Sequence, residues 1–424
     1  MHIQKIQLTN FRCYANALFE FQPGFNLIIG VNGSGKTSLL NAVALSFSDL
    51  SYSILKGTLT LSERDAMFVV EHFDERVRFE RKYPVQINAS GDYFGEKHWC
   101  IIKERAIDNT ARSQNSLFAG IKDFLTRVDE GQTVSLPLIA YYRANRRWAT
   151  AHISAERAAT QQASRLDAYS NWQDAAVDLQ EFESWLIGKT LERLQRVSRQ
   201  RSPIAEFDDE LQLVNEALKI ALPDSVGIEY DLDLRSIMVK LSTERSLPFT
   251  DLSDGQRSLV ATIADIARRM CLLNPHLGNE VLKKTTGTVM IDELDIHLHP
   301  AWQRTIALAL KTAFPSIQFI AASHSPQVIG SLLPDEVILL NSEGSAHPRV
   351  TYGLDSSSVL EEVMGTTPRD PEVDRMLREL FATLENNDIE GAKDQLAGLK
   401  ERVEDLPEFY RAEALLKRKE MIGR

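Results

Sequence analysis

Residues 30–37 read Gly-Val-Asn-Gly-Ser-Gly-Lys-Thr, and this motif is the strongest indication of the fold class in the sequence. It matches the eight-position phosphate-binding loop, in which glycines let successive backbone N–H groups face a phosphate. The apolar run Phe25–Ile29 before it predicts a strand. The spacing of leucine, alanine and valine from Lys36 to about Phe47 predicts a buried helix. This order of strand, loop and helix predicts a nucleotide-binding α/β domain.

The loop also assigns roles to its side chains. We expect Lys36 to reach the β- and γ-phosphates and the hydroxyl of Thr37 to ligate Mg²⁺. The N-terminal end of the following helix carries the positive end of the helix dipole, which favours phosphate binding. The predicted nucleotide-binding residues here are Asn32, Gly33, Gly35, Lys36, Thr37 and Ser38. A glycine turn with a chance lysine is the alternative, which the flanking strand and helix disfavour.

A second apolar strand, predicted at Thr288–Ile291, ends in two carboxylates. Beside a nucleotide, Asp292 is expected to hold the Mg²⁺ shell and Glu293 to polarise the attacking water. Apolar strands that end in acids are common, so this pattern indicates a nucleotide site only in combination with the phosphate-binding loop.

The signature segment, residues 252–257, reads Leu-Ser-Asp-Gly-Gln-Arg and precedes a helix predicted from Ser258. A polar turn at a helix N-terminus is a second anion-binding site, more than 200 residues after the first. One nucleotide does not need two such sites from one chain. We therefore predict that Ser253, Gly255 and Gln256 complete the pocket of a second copy.

The order of these motifs, followed by Asp295 and by Ser323-His324-Ser325, resembles the ABC-type ATPases, specifically their RecF/SMC-like (OLD-like) branch. The resemblance covers most of residues 1–345 and implies ATP and Mg²⁺ as cofactors. It implies that Asp295 lies at a dimer interface, that His324 contacts the γ-phosphate and that Arg12 lies near the phosphates. It also explains His297 and His299 as part of the same segment, against the alternative of metal binding.

The sequence departs from that branch in two ways. A glutamine usually follows a lobe strand ahead of the inserted segment, whereas the predicted strand Leu136–Tyr142 continues into Arg-Ala-Asn-Arg-Arg. The sensor role is unassigned, and Arg143 is only a candidate. The insert, roughly 70 to 80 residues, is too short for a long antiparallel coiled coil of about 1.5 Å rise per residue.

We predict an α/β ABC-ATPase head, with a mixed sheet, a phosphate-loop core and an antiparallel lobe, plus a helical insert and a helical tail. The predicted divisions are 1–149 and 225–345 for the head, 150–224 for the insert and 346–424 for an assembly region. Three amphipathic segments in the tail motivate that last assignment, and simple covering of the α/β lobe is the alternative.

Composition limits the partners and the compartment. The net charge of −11 excludes a uniformly basic surface, so DNA contact would need a local patch. The insert offers one, since arginines 193, 196 and 199 share a helical face and arginine 201 follows. A solvated helix face is the alternative. Three scattered cysteines and the lack of a run of about 18 apolar residues predict a cytoplasmic protein that does not span a membrane.

The compact insert, the signature segment and the charged helical tail together resemble the PtuA-type ATPase subunits of Septu anti-phage systems and their retron-associated relatives. This resemblance implies a sensor or regulator, a homodimer or higher oligomer of heads that sandwich ATP, and a separate HNH-type nuclease. No nuclease motif is seen in the chain. A RecF-like DNA-repair ATPase and a nucleotide-gated DNA-binding scaffold are the alternatives, and Glu293 argues against the scaffold.

Overall fold

The computed structural model describes residues 1–57, 59–73, 76–107, 117–146, 164–176, 179–200, 209–222, 225–241, 245–341, 344–403 and 405–422. The chain forms two compact units, residues 1–353 and 354–424. The predicted division after residue 345 is therefore too early. The Thr351 hydroxyl donates to the carbonyl of Leu332 at 2.6 Å, and the Gly353 N–H to that of Gly330 at 3.0 Å. These bonds tie residues 346–353 to the first unit.

The strands are β1 Ile3–Phe11, β2 Tyr14–Glu20, β3 Phe25–Ile29, β4 Phe68–Phe73, β5 Arg76–Arg81, β6 Val85–Tyr93, β7 Glu96–Lys103, β8 Leu138–Tyr142, β9 Ser225–Asp231, β10 Ser236–Leu241, β11 Ser246–Pro248, β12 Gly287–Ile291, β13 Ile317–Ala322, β14 Val337–Asn341 and β15 Gly344–Ala346. The central sheet has the order β15-β14-β3-β13-β12-β8. Its strands β14, β3, β13, β12 and β8 run parallel. Their carboxyl ends therefore meet at one edge, where ligands bind in open α/β sheets.

Strands β3, β8, β12 and β13 are buried along their whole length, which explains why they read as unbroken apolar runs. A second sheet, β2-β1-β6-β7, is antiparallel. Buried Gln318 of β13 joins the two sheets, because its side chain accepts from the N–H of Ile3 and donates to the carbonyl of Ile3. This mixed α/β core with an antiparallel lobe confirms the predicted fold class.

The helices are α1 Lys36–Ser46, α2 Ser48–Leu55, α3 Phe118–Asp129, α4 Leu179–Gln200, α5 Glu210–Ala221, α6 Asp254–Leu273, α7 Val281–Lys284, α8 Pro300–Gln303, α9 Ile306–Ala313, α10 Pro326–Ile329, α11 Ser356–Ser358, α12 Pro371–Glu385, α13 Ile389–Arg402 and α14 Pro407–Ile422. In the described part of the chain, no single helix is long and apolar enough to cross a membrane. The bent pair α1 and α2 meets those criteria only when taken together.

The described part of the predicted insert is helical and packs within the first unit. A buried carboxylate, Asp265 of α6, accepts from Arg268 at 2.8 Å and from Arg269 at 2.7 Å. Arg269 also donates to the carbonyls of Ala168 and Ser170 at 2.6 and 2.9 Å. The insert is thus fixed to α6 by a buried ionic network.

The second unit contains its own apolar core. Helices α12, α13 and α14 bury one another's apolar stripes, whose members are Leu377, Leu380, Leu384, Ala392, Leu396, Leu399, Phe409, Ala412 and Leu416. The three amphipathic segments therefore do not by themselves require a partner, because the helices bury their apolar stripes together. Tyr410, one of the predicted apolar positions, is 65% exposed.

Candidate functional site

The phosphate-binding loop connects β3 to α1 at the carboxyl edge of the central sheet. Gly33 and Gly35 have φ values of 82° and 101°, which glycine adopts without strain. A side chain at Gly35 would collide with the hydroxyl of Tyr14 and the sulfur of Cys13. The ammonium group of Lys36 donates to the carbonyls of Gly30 and Val31 at 3.0 and 3.1 Å. The loop therefore curls around its own lysine.

The side-chain oxygens of Thr37 and Asp292 lie close together in the same cleft as Lys36. The Thr37 hydroxyl donates to Oδ1 of Asp292 at 3.3 Å, although the two residues are 255 positions apart. Burial raises the pKa of Asp292, and the Thr37 hydrogen bond and the charges of Arg146 and Lys36 oppose that rise. Burial lowers the pKa of Lys36, and Asp292 is the largest opposing charge.

Glu293 and His324 lie on the same cleft from two neighbouring strands, β12 and β13. Glu293 is exposed and has a φ of 48°, in the left-handed region that is uncommon for residues other than glycine. Burial and, secondarily, the charge of Lys36 lower the pKa of His324. Its imidazole is therefore neutral at pH 7, when one ring nitrogen donates and the other accepts.

These residues line one cleft of about 380 Å³. Its described lining residues are Arg12, Cys13, Asn32, Gly33, Gly35, Lys36, Thr37, Ser38, Asp292, Glu293, Ala322, Ser323 and His324. The structure thus brings together the loop, the acids, the histidine and Arg12 predicted from sequence. The guanidinium of Arg12 forms an ion pair with Asp65 at 2.8 Å, which holds it at the cleft wall.

The side chain of Asp295 forms hydrogen bonds within its own chain. Its Oδ1 accepts from the Ser323 hydroxyl at 2.5 Å and from the backbone N–H of His324 at 3.4 Å. In this chain it therefore orients the segment that carries His324, and a dimer-interface role for Asp295 stays a prediction. Neighbouring His299 accepts from the N–H of Ala301 and caps α8.

The signature segment lies at the start of α6, which begins at Asp254, four residues before the predicted start. Ser253 and Gln256 form a capping box, with the Ser253 hydroxyl accepting from the Gln256 N–H at 3.3 Å. Gly255 is buried, and a side chain there would overlap the carbonyl of His297. Among the described lining residues of the phosphate cleft, none belongs to the signature segment.

Sequence reasoning assigned no role to Cys13, which lines this cleft, or to Arg146, which contacts the backbone of Glu293. The Nη2 of Arg146 donates to the backbone carbonyl of Glu293 at 2.5 Å. Burial lowers the pKa of Arg146 to about 10, and Asp292, Glu293 and Asp295 oppose the shift, so the guanidinium is charged at neutral pH. The absence of a glutamine after β8 directs attention to this segment, but the sequence does not show which of its arginines contacts the strand end of the acids.

Arg193, the first arginine of the basic patch in the insert, binds a carboxylate of its own chain. Its Nε donates at 2.7 Å to Asp209, the residue that caps α5, so this arginine stabilises the insert. Arg201 and the side chain of Arg199 lie outside the described residues.

The fold and the cleft define an ABC-type ATPase head. The chain belongs to the family described as "AAA domain, putative AbiEii toxin, Type IV TA system", whose profile matches residues 25–330. The predicted RecF/SMC-like resemblance is confirmed, and the chain is an ATPase of this family.

Similar proteins extend over most of the chain. The retron Ec83 probable ATPase of Escherichia coli is 27% identical over 438 aligned residues, covering 88% of this chain and 78% of that protein. The Septu protein PtuA of Bacillus thuringiensis is 25% identical, covering 82% and 80%. RecF of Aliivibrio fischeri is 34% identical over only 93 residues, covering 22% and 25%. A solved SMC head bound to the C-winged helix domain of ScpA is 14% identical, with a TM-score of 0.46, covering 81% and 96%.

Proposed function

We propose that the chain is the regulatory ATPase of a cytoplasmic anti-phage complex, that it hydrolyses ATP with Mg²⁺ between two copies of its head, and that it controls a separate HNH-type nuclease. One observation carries the catalytic part. The phosphate-binding loop, Asp292, Glu293 and His324 converge on one cleft, while Ser253 lies at a different helix end.

The residues present fit Mg²⁺ and ATP. The paired oxygens of Thr37 and Asp292 are the hard ligands that Mg²⁺ prefers, and they would hold the ion. Once bound, the ion neutralises phosphate charge. Lys36 would exchange its bonds to the loop carbonyls for bonds to phosphate oxygens, and the N–H groups of Gly33 and Gly35 would face the phosphates.

Glu293 and His324 supply the chemistry at the open side of the cleft. The carboxylate of Glu293 would accept a hydrogen bond from water and orient the water for attack. The neutral imidazole of His324 would donate a hydrogen bond to a phosphate oxygen, and Asp295 holds the His324 backbone in place. Asp292 would hold Mg²⁺ and would take no part in orienting the water.

The second copy would supply Ser253, Gly255 and Gln256. Ser253 at the N-terminus of the 20-residue helix α6 is exposed, so the positive end of the helix dipole would be accessible to a phosphate of the other copy. Two heads arranged head to tail would each place this end over the nucleotide of the other. The expected assembly is a homodimer or a higher oligomer.

The defence role is supported by relatives that match over most of this chain and are named as retron and Septu proteins. Co-expression with the neighbouring gene product, followed by phage challenge, tests it. Wild type should protect cells, and Glu293→Gln should not. Protection that survives loss of hydrolysis would contradict a role for ATP turnover.

The partial RecF match favours one alternative, a DNA-repair ATPase. Gapped duplex DNA would then stimulate hydrolysis by the isolated protein, and mutants would be sensitive to DNA damage rather than to phage. A nucleotide-gated scaffold would bind ATP without turnover. Steady-state hydrolysis with and without DNA separates all three functions.

A further inference from the structure

The segment after β8 reaches the catalytic acids because of strand order. Strand β8 pairs in parallel with β12, with Tyr142 opposite Ile291. The N–H of Asp292 then donates to the carbonyl of Tyr142 at 2.8 Å. Because both strands end at the same sheet edge, the residues that follow Tyr142 emerge beside the two acids that follow Ile291.

Two arginines in this segment have different environments. The Nε of Arg143 donates to the carbonyl of Gln173 at 3.0 Å, and its guanidinium lies 4.8 Å from the ring centroid of Tyr141. Arg143 is therefore held by the insert. Arg146 instead binds the carbonyl of Glu293 at 2.5 Å. Arg146, rather than Arg143, therefore contacts the strand end that carries Glu293, and a sensor role for Arg143 stays a prediction.

The bond from Arg146 acts on a strained residue. Glu293 has a φ of 48°, and its carbonyl also accepts from the N–H of Ile296 at 3.1 Å. The next N–H, that of Leu294, donates to the carbonyl of Ala322 at 2.8 Å. Strained conformations persist where the surroundings over-determine them. Arg146 therefore helps to fix the backbone from which the carboxylate of Glu293 projects.

Arg146 also faces the signature helix. It lines a small pocket with Ser258, Leu259 and Thr262 of α6 and with Leu294. Its Nε is buried and has no hydrogen-bond partner among the described residues. Buried polar atoms are rarely left unpaired, and such a group often marks a functional position. The Arg146 guanidinium thus binds the strand end that carries Glu293, and Arg146 shares a pocket with the helix of the signature segment.

We propose that Arg146 is a positioning residue for Glu293 and fixes the backbone from which the Glu293 carboxylate projects. The inference rests on the proposed role of Glu293 as the residue that orients water. Movement of α6 when a second head binds would be transmitted through the guanidinium to the Glu293 backbone. Hydrolysis would then depend on Arg146 more than ATP binding does.

The test compares Arg146→Gln and Arg146→Lys in the full chain, with ATP affinity and kcat measured separately. Misplacement of a catalytic group by about 1 Å costs about 10²-fold, so kcat of Arg146→Gln should fall by about that factor. ATP affinity should stay within about threefold, as expected when a transition-state interaction is lost. Arg146→Lys, which keeps the charge, should recover part of the rate.

Two further variants make the result specific. Arg105→Gln removes an exposed arginine outside the site and should behave as wild type. In a Glu293→Gln background, Arg146→Gln should cause little further loss, because the two residues act as a unit.

Three outcomes overturn the inference. The first is a wild-type kcat in Arg146→Gln while Glu293→Gln is inactive, which leaves the role of Glu293 intact. The second is a parallel loss of ATP affinity, kcat and thermal stability in Arg146→Gln and Arg146→Lys, which would show a merely structural role. The third is a fully active Glu293→Gln, which would remove the catalytic assignment itself.

Discussion

The backbone carbonyl of His297 lies against the Cα of Gly255, so the signature helix and the segment that carries Asp295 touch within one chain. Gly255→Ala should push these elements apart. We expect ATP hydrolysis to fall by about 10²-fold, because displaced catalytic groups lose orientation. The matched control is Gly188→Ala in α4, where a side chain meets no atom within 4 Å and should stabilise the helix by about 0.5–1 kcal/mol. An active Gly255→Ala would show that this contact is not needed.

Lys36 and Glu293 should differ in the step that they affect. Lys36→Ala should abolish ATP binding, because in the proposed mechanism its ammonium would contact the phosphates already in the ground state. Glu293→Gln should keep ATP affinity and stop turnover, because its carboxylate acts mainly in the transition state. Equilibrium titration with a fluorescent ATP analogue and single-turnover hydrolysis measure the two steps. Equal loss of affinity in both variants would contradict this division of roles.

Sharing of the site between two copies predicts complementation. Lys36→Ala and Ser253→Arg should each be inactive alone. A mixed dimer keeps one site with an intact loop from one copy and an intact signature segment from the other. Mixing should therefore restore ATPase activity to part of the wild-type rate. Recovery is measured after mixed dimers are demonstrated by pull-down with two tags, and absence of recovery in such dimers would exclude sharing in trans.

The buried carboxylate of Asp265 should make stability depend on pH. Burial alone would raise its pKa, but Arg269 and Arg268 outweigh that effect and hold the pKa below its usual value. The folded state therefore binds this proton less readily than the unfolded state. The contribution of Asp265 to stability is present above about pH 4, the unfolded pKa, and is lost as pH falls through the folded value.

The corresponding variant is Asp265→Asn, which leaves two buried arginines uncompensated and should cost about 3–5 kcal/mol at pH 7. Urea unfolding at pH 7 and below pH 4 measures the free energy of unfolding of both proteins. The difference in this free energy between Asp265→Asn and wild type should be smaller in acid. Exposed Asp129→Asn is the control and should change stability by at most about 0.5 kcal/mol. A constant difference at both pH values would exclude Asp265 as the titrating group.

Sequence reasoning located features that short-range chemistry determines. Strand Phe25–Ile29 and the start of α1 at Lys36 were predicted at their observed positions, because an apolar run and a glycine loop are local signals. The role of Arg146 was not predictable, since it depends on β8 being the parallel neighbour of β12. The order of strands in the sheet brings together residues about 150 positions apart in the chain. Motif spacing along the sequence does not reveal that order.

The packing of the three tail helices could not be predicted from the sequence for a related physical reason. Helical periodicity showed that each of the three segments has an apolar stripe, but it could not show which surface covers the stripe. The structure shows that α12, α13 and α14 cover one another. An assembly role for this unit therefore no longer follows from unsatisfied apolar surface, and it stays a prediction.

Removal of the second unit tests that role. A chain ending at Gly353 keeps every residue of the phosphate cleft, so we expect it to hydrolyse ATP. If residues 354–424 form the assembly surface, light scattering should show that the shortened protein falls from the full-length mass to a dimer and no longer retains the nuclease partner. A ligand can shift assembly only through different affinities for two states, so ATP should change the mass of the full chain and not of the shortened one. Unchanged mass and partner binding after truncation would show that assembly depends on residues 1–353.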